Sequence, residues 1–171
     1  INQRVDLDGV LVSNQDEQFD LLKKICVGEA VGREYNRDDE QPMLVVCETL
    51  KEAEELYAKL QGTKSVRGIQ IITGTETDKE LAEKIKIAGQ KDVITISTPF
   101  SGRGTDISTV HPSGLYTIMM SVFDSRTTMQ IKGRSGRNGW PGKTFSIIDR
   151  SKYEEKEEYK AALAQAAYQS E

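Results

Sequence analysis

Two arginines, Arg134 and Arg137, stand three residues apart in the run QIKGRSGR, which extends from Gln130 to Arg137. On a helix that spacing sends both guanidinium groups from one face, so that they can address a single anion. Planar, permanently charged forks suit phosphate oxygens better than lysine ammonium groups do. The same spacing also fits the basic end of an ordinary surface helix. A second glycine-rich stretch, STPFSGRGTDI, runs from Ser97 to Ile107. Gly102 and Gly104 let backbone come close to a nucleotide, Arg103 and Thr105 supply hydrogen-bond donors, and Asp106 supplies a carboxylate for ribose hydroxyls. A purely structural turn is the plainer reading of that loop.

A third run, GRSGRNGWPGKTFS from Gly133 to Ser146, carries the G-K-T ending of a phosphate-binding P-loop at Gly142, Lys143 and Thr144. Gly136 sits one residue too early for G-x-x-x-x-G-K-[ST]. A P-loop also opens a helix whose N-terminal amides hold the phosphates, whereas GKTFSIID leads into apolar, β-branched residues that read as a strand. The run is therefore no P-loop. Its glycines and Pro141 make a turn between a helix and the last strand.

Elements must exist to hold these loops in place, and apolar runs of strand length recur along the chain. They are PMLVVC (Pro42 to Cys47), GIQII (Gly68 to Ile72), DVITIS (Asp92 to Ser97), LYTIMMSV (Leu115 to Val122) and TFSIID (Thr144 to Asp149). Between them fall helical patterns. TLKEAEELYAKL offers Thr49 as N-cap with Glu52 three residues on, and Leu50, Ala53, Leu56, Tyr57 and Leu60 on one face. TDKELAEKIKIAG repeats the device with Thr77, Glu80, Leu81 and Ile85. FDLLKKICVGEAV (Phe19 to Val31) predicts a preceding helix, and KYEEKEEYKAALAQAAYQ (Lys152 to Gln169) a closing one, read as a solvated helix with an apolar stripe. Alternation of strand and helix implies right-handed crossovers and a mostly parallel sheet buried on both faces, an α/β domain. Its ligands belong beyond the carboxyl ends of the strands, which is where STPFSGRGTDI falls.

Composition excludes more than it selects. The chain has 171 residues, 37% hydrophobic and 29% charged, enough for one domain with a real core. A net charge of -4 gives no overall attraction to a phosphate backbone, so nucleic acid is not the expected partner. Cys26 and Cys47 lack C-x-x-C spacing and the lone His111 has no ligand pattern around it, so the cysteines read as packing thiols and no metal site is expected. No apolar run approaches the ~20 residues of a spanning helix and no signal peptide opens the chain, which points to the cytoplasm; a first residue of Ile fits a piece of a longer protein.

The two glycine-rich stretches also resemble a known family. STPFSGRGTDI is similar to motif V, and QIKGRSGRNGWPG to motif VI, of superfamily-two helicase-type ATPases in the version found in SecA, the bacterial preprotein translocase motor. RVDLDGVLVSNQDEQFDLLKKI resembles that family's entrance into its second nucleotide-binding domain. PMLVVCETLKEAEELYAKL resembles the strand and helix of motif IV, AGQKDVITIS the run into motif V, and GLYTI the strand before motif VI. The resemblance extends from Arg4 to Asp149, and the GRNGWPG extension of motif VI is its most specific part.

The resemblance implies a RecA-like, three-layer αβα domain of helicase C-terminal type, a single domain over residues 1–171 with 151–171 as a helical extension. It would form one wall of an interdomain ATP site. By position, Arg137 corresponds to the arginine finger on the γ-phosphate, Arg134 to its companion, Gln130 to the motif VI glutamine and Asp106 to the motif V carboxylate. Gly102, Arg103, Gly104 and Thr105 complete the nucleotide loop. The sequence has no Walker A run and no D-E-A-D-like carboxylates, so the resemblance assigns the phosphate cradle and Mg2+ to an N-terminal RecA-like motor domain outside this chain. This chain alone is then not expected to hydrolyse ATP. The further implied partners are a preprotein and a membrane translocation channel, with a cytoplasmic or peripheral membrane location. RSKYEEKEEYK does not continue into the family's long scaffold helix, which leaves a divergent member and a housekeeping translocase both open. Two alternatives are the C-terminal half of a nucleic-acid helicase and a noncatalytic SecA-like interaction module.

Overall fold

The computed structural model describes residues 4–99, 106–134 and 140–154. Seven strands and four helices follow one another as β1 (Arg4–Asp6), β2 (Val10–Val12), α1 (Gln15–Cys26), β3 (Met43–Val46), α2 (Leu50–Gln61), β4 (Ile69–Ile71), α3 (Asp78–Ala88), β5 (Ile94–Ser97), β6 (Leu115–Met119), α4 (Ser125–Gly133) and β7 (Gly142–Asp149). A short 3-10 turn, Arg150–Lys152, follows. The sheet order is β1-β7-β6-β3-β5-β4, with β2 also on β7, and every pairing is parallel.

The central strands sit inside because they carry no charged side chain, and their small polar residues, Thr95, Ser97 and Thr117, are buried with the rest. All residues of β3, β5 and β6 are buried, as expected of a parallel sheet covered on both sides. Successive side chains point to opposite faces, and this divides the core in two. Met43 and Val45 pack with Leu22 and Ile25 of α1 and with Ala53, Leu56 and Leu60 of α2. Leu44 and Val46 pack with Ile85 and Ala88 of α3 and Ile131 of α4. The result is the expected three-layer αβα arrangement, in which each buried Leu or Ile contributes about 1.5–3 kcal/mol.

Helix starts fall where the caps place them. The Thr49 side chain accepts from the Glu52 N–H, and Thr77 with Glu80 forms a full capping box. The first helix departs from expectation at both ends. It begins four residues before Phe19, at Gln15, because Asn14 caps it by accepting from the Glu17 N–H. It stops at Cys26 rather than Val31 because Gly28 takes φ +82°. There the Gly28 N–H bonds the Ile25 carbonyl and the Glu29 N–H the Lys24 carbonyl, the paired reversal that closes many helices.

Strands β1 and β2 were not expected. They add one broken edge to β7, β1 along Gly142 to Thr144 and β2 along Ile147 to Asp149, and the Leu7 N–H bridges the gap to the Thr144 carbonyl. The G-K-T triplet lies within β7 itself. Thr144 donates to Asp6 at 2.8 Å, and the Lys143 ammonium lies 4.5 Å from the centre of the Tyr116 ring. Both side chains are thus used inside the fold, in keeping with the rejection of a P-loop. Of the closing helix, Lys152 lies in the 3-10 turn and Tyr153 and Glu154 in the turn after it; its remaining residues lie outside those described.

Cys26 and Cys47 are buried and free, and burial pushes both thiols up to about 12, which suits packing thiols rather than reactive ones. A polar tie joins α1 to the sheet: buried Gln18 donates to the Met120 carbonyl at 2.9 Å and to the Ile147 carbonyl at 2.7 Å. Gln18→Ala removes both donors and leaves two buried acceptors short. We expect it to lower unfolding free energy by about 1–3 kcal/mol in urea titration; an unchanged midpoint would show that the tie contributes nothing.

Candidate nucleotide-binding edge

Parallel pairing brings the carboxyl ends of all strands to one edge, and motif V leaves from it after β5, whereas motif VI starts on α4 and leads to the amino end of β7. Motif V follows β5, whose last residue, Ser97, is buried. Asp106, the first described residue after the loop, is exposed, and Ile107 turns back into the α3 and α4 layer. Gly102, Arg103, Gly104 and Thr105 lie outside the described residues.

Motif VI begins on α4. Asp124 caps this helix by accepting from the Thr127 N–H at 2.7 Å, a bond that holds its carboxyl below the usual range. Gln130 is exposed on the helix. Arg134 follows Gly133 as the C-cap, its N–H bonded to the Ile131 carbonyl. The helix therefore ends before Arg134, so a helical face shared with Arg137 has no support in the described residues. Arg137 itself lies outside them.

What the fold does bring together is Arg134 and the motif V segment, 35 residues away in sequence at Pro99. Arg134 Nη2 donates to the Pro99 carbonyl at 3.5 Å. Burial lowers the pKa of Arg134, while the charge of Asp106 raises it. A guanidinium stays protonated under such a shift. It is a half-buried cation beside a carboxylate, at the strand edge where ligands of open α/β sheets gather.

Two glycines that sequence reading passed over hold the exits of both motifs. A Cβ on Gly89, at the end of α3, would lie 1.7 Å from the Ser108 carbonyl oxygen, just after motif V. A Cβ on Gly114, which has φ +69°, would lie 1.8 Å from the Pro141 carbonyl oxygen, at the end of motif VI. The signal was present in AGQ and SGLY, each a glycine at the border of an apolar run. Beside motif V, the loop after β4 is held by Glu76. Burial pushes its carboxyl up, but bonds from Lys84 Nζ and from the Thr73 and Gly74 N–H groups outweigh this and hold it at about 2.

Two roomy hollows lie elsewhere. One of about 600 Å³ beside Tyr35 and Lys143, and one of about 870 Å³ beside Arg37 and Asp92, open near the amino ends of the strands. Their buried cation is already used: Arg37 donates to the Cys26 and Gln41 carbonyls at 2.6 and 2.7 Å. Among the described residues no group of His, Cys, Asp and Glu could hold a metal. None of their helices is long and apolar enough to cross a membrane.

Sheet order and three layers define a RecA-like domain of helicase type. Among solved structures, a DEAD box protein from Methanococcus jannaschii superposes with a TM-score of 0.64 at 22% identity, covering 96% of this chain and 39% of that one. The C-terminal domain of the DEAD-box protein Dbp5 superposes at 0.59 and 19% identity, covering 98% of this chain and 97% of that domain. At these identities the likeness is one of fold.

The sequence narrows the class: residues 2–113 match the family described as SecA P-loop domain, and the chain belongs to that family. It is 35% identical over 149 residues to the protein translocase subunit SecA of Heliobacterium modesticaldum, covering 83% of this chain and 16% of that protein. Against the subunit of Halothermothrix orenii it is 36% identical over 152 residues, covering 85% and 17%. The chain thus spans about a sixth of the length of these relatives.

The close approach at Gly89 is open to test. Gly89→Ala forces the Ser108 backbone aside and is expected to cost about 1–3 kcal/mol in urea titration. Gly62→Ala, with φ −76° and no contact nearer than 3.6 Å, is expected to stay within about 0.5 kcal/mol. Equal effects of the two would contradict the tight packing of α3 against the motif V exit.

Proposed function

We propose that this chain is the second motor domain of a SecA-type ATPase and contributes motif V and motif VI side chains to an ATP site shared with an N-terminal RecA-like domain. The approach of the Arg134 side chain to Asp106 and to the Pro99 carbonyl, just past the carboxyl end of β5, carries this reading, together with membership of the SecA family.

The residues present fit a nucleotide. Arg134 offers five N–H donors, of which one reaches Pro99 at the outer limit of hydrogen bonding. Its partial withdrawal from water strengthens attraction to a phosphate oxygen. Arg137, in the finger position, would neutralise charge on the transferred phosphoryl group, with Arg134 as companion. Asp106 would accept from a ribose hydroxyl, Gln130 would orient the phosphate side, and the Gly102 to Thr105 backbone would border the sugar and phosphates. ATP bound in such a cleft supplies the phosphoanhydride whose cleavage changes how the two domains close. The cradle for its phosphates and the carboxylates for Mg2+ belong to the first domain, since G-x-x-x-x-G-K-[ST] does not occur here. This domain alone binds ATP weakly and does not hydrolyse it.

The implied work is protein translocation, with a preprotein and a membrane channel as partners and the cytoplasmic face of the membrane as location. The DEAD-box neighbours support a helicase reading by fold alone, and the net charge of -4 gives no overall attraction to a phosphate backbone.

The test joins this domain to its own first motor domain and measures steady-state ATP hydrolysis. Arg137→Ala is expected to reduce kcat on the order of a thousandfold, as finger arginines do, and Arg134→Ala by roughly tenfold or more. Activity within about twofold of the parent for both variants would reject the arginine assignment, since removing a donor of this kind costs far more.

A further inference from the structure

Helix α4 has nine residues and one buried side chain, Ile131. So short a helix is marginal by itself, and one anchor fixes its place poorly. Yet it is this helix that leads to Arg134, and segments remote in sequence hold both of its ends. At the carboxyl end Arg4 Nη1 donates to the Lys132 carbonyl at 2.9 Å.

At the amino end the contacts form a closed ring. The Val122 N–H donates to the Tyr153 hydroxyl oxygen at 3.1 Å, and that oxygen lies 2.5 Å from Ser121 Oγ. Ser121 donates its only hydroxyl proton to Glu48 at 3.0 Å, so the Tyr153 hydroxyl must donate to Ser121. Glu48 accepts in turn from Lys152 Nζ at 2.6 Å, and Lys152 adjoins Tyr153 in the chain. Such a one-directional series of donors ending on a carboxylate strengthens each bond in it. Tyr153 and Ser121 are each 3% exposed, so water does not readily replace either partner. Glu48 follows β3, Ser121 follows β6, and Lys152 and Tyr153 follow β7. The ring therefore ties three strand ends together on the carboxyl edge, from which motif V leaves and at which α4 starts.

We propose that Tyr153 is a positioning residue of the nucleotide site, a latch through which the segment after β7 sets the place of α4 and thereby of Arg134. The proposal rests on the arginine assignment above. A displacement of the 150–153 turn breaks the ring at Tyr153, frees the Ser121 to Phe123 lead and lets α4 shift. A misplacement of about 1 Å is enough to cost on the order of a hundredfold in rate.

The experiment uses the longer protein that contains both motor domains and compares Tyr153→Phe, Ser121→Ala, their double variant and Arg134→Ala. Each latch variant is expected to lower kcat by roughly tenfold or more with KM for ATP within about twofold, and the double variant to lose no more than either single one. Independently of turnover, amides 121–134 are expected to exchange with solvent faster in Tyr153→Phe, while those of β3 and β5 keep their rates. If Tyr153→Phe does not fold, Ser121→Ala breaks the same ring from its other side and decides the matter. Latch variants with parental kcat beside an impaired Arg134→Ala would overturn the latch alone. A parental Arg134→Ala would show that the site assignment had failed, and the latch with it. Exchange that is unchanged, or faster throughout the sheet, would reduce Tyr153 to a stability role and overturn the proposal.

Discussion

A guanidinium drawn partly out of water needs a counter-charge or an acceptor, and Arg134 has both in the segment that follows β5. That contact is the point where the two glycine-rich stretches meet. It requires β5 and β6 to run the same way, so that α4, returning from the end of β6 toward the start of β7, passes the segment that leaves β5. The parallel sheet and the crossover helix therefore serve one placement.

Packing around that placement is dense where the backbone is close and polar where chains cross. Gly89 against Ser108 and Gly114 against Pro141 leave no room for a side chain, so the exits of both motifs are set by contact with the sheet's own connections. Gln18, Ser121 and Tyr153 satisfy carbonyls, hydroxyls and N–H groups near the strand ends. Buried groups of this kind are costly when unpaired, so these bonds help to hold the ends of β6 and β7 to their neighbours. The opposite edge uses its cations differently: Arg37 bonds loop carbonyls and has no need of a ligand.

Much of this was readable in the sequence, and the reasons are local. Runs such as MLVV and ITIS carry no charge and are rich in β-branched residues, and Thr49 with Glu52 and Thr77 with Glu80 are signatures written within four residues. The rejection of the G-K-T run also needed only its neighbours. What escaped was either too short or too distant. Three-residue strands, Arg4–Asp6 and Val10–Val12, give no alternation to detect. The early end of α1 was marked by Gly28, whose φ > 0 role outweighed the apolar spacing around it. The Tyr153 ring joins residues 32 and 73 apart, and no local pattern announces it. In the site itself, the fold brings Arg134 to the Pro99 carbonyl and within electrostatic reach of Asp106, a long-range approach that motif spacing does not state, while Arg137 lies outside the described residues.

Family membership and fold agree on a motor-type domain, while the chemistry depends on where the arginines point when a second domain closes over them. The most direct measurement is a structure of the two-domain protein with ADP, Mg2+ and a planar γ-phosphate mimic such as aluminium fluoride. The account predicts the Arg134 and Arg137 guanidinium groups within about 3 Å of the mimic's oxygens or fluorides, charge-assisted hydrogen-bond distance, with Asp106 on the ribose side. A closed complex with both arginines turned to solvent and the mimic held by the first domain alone would contradict it.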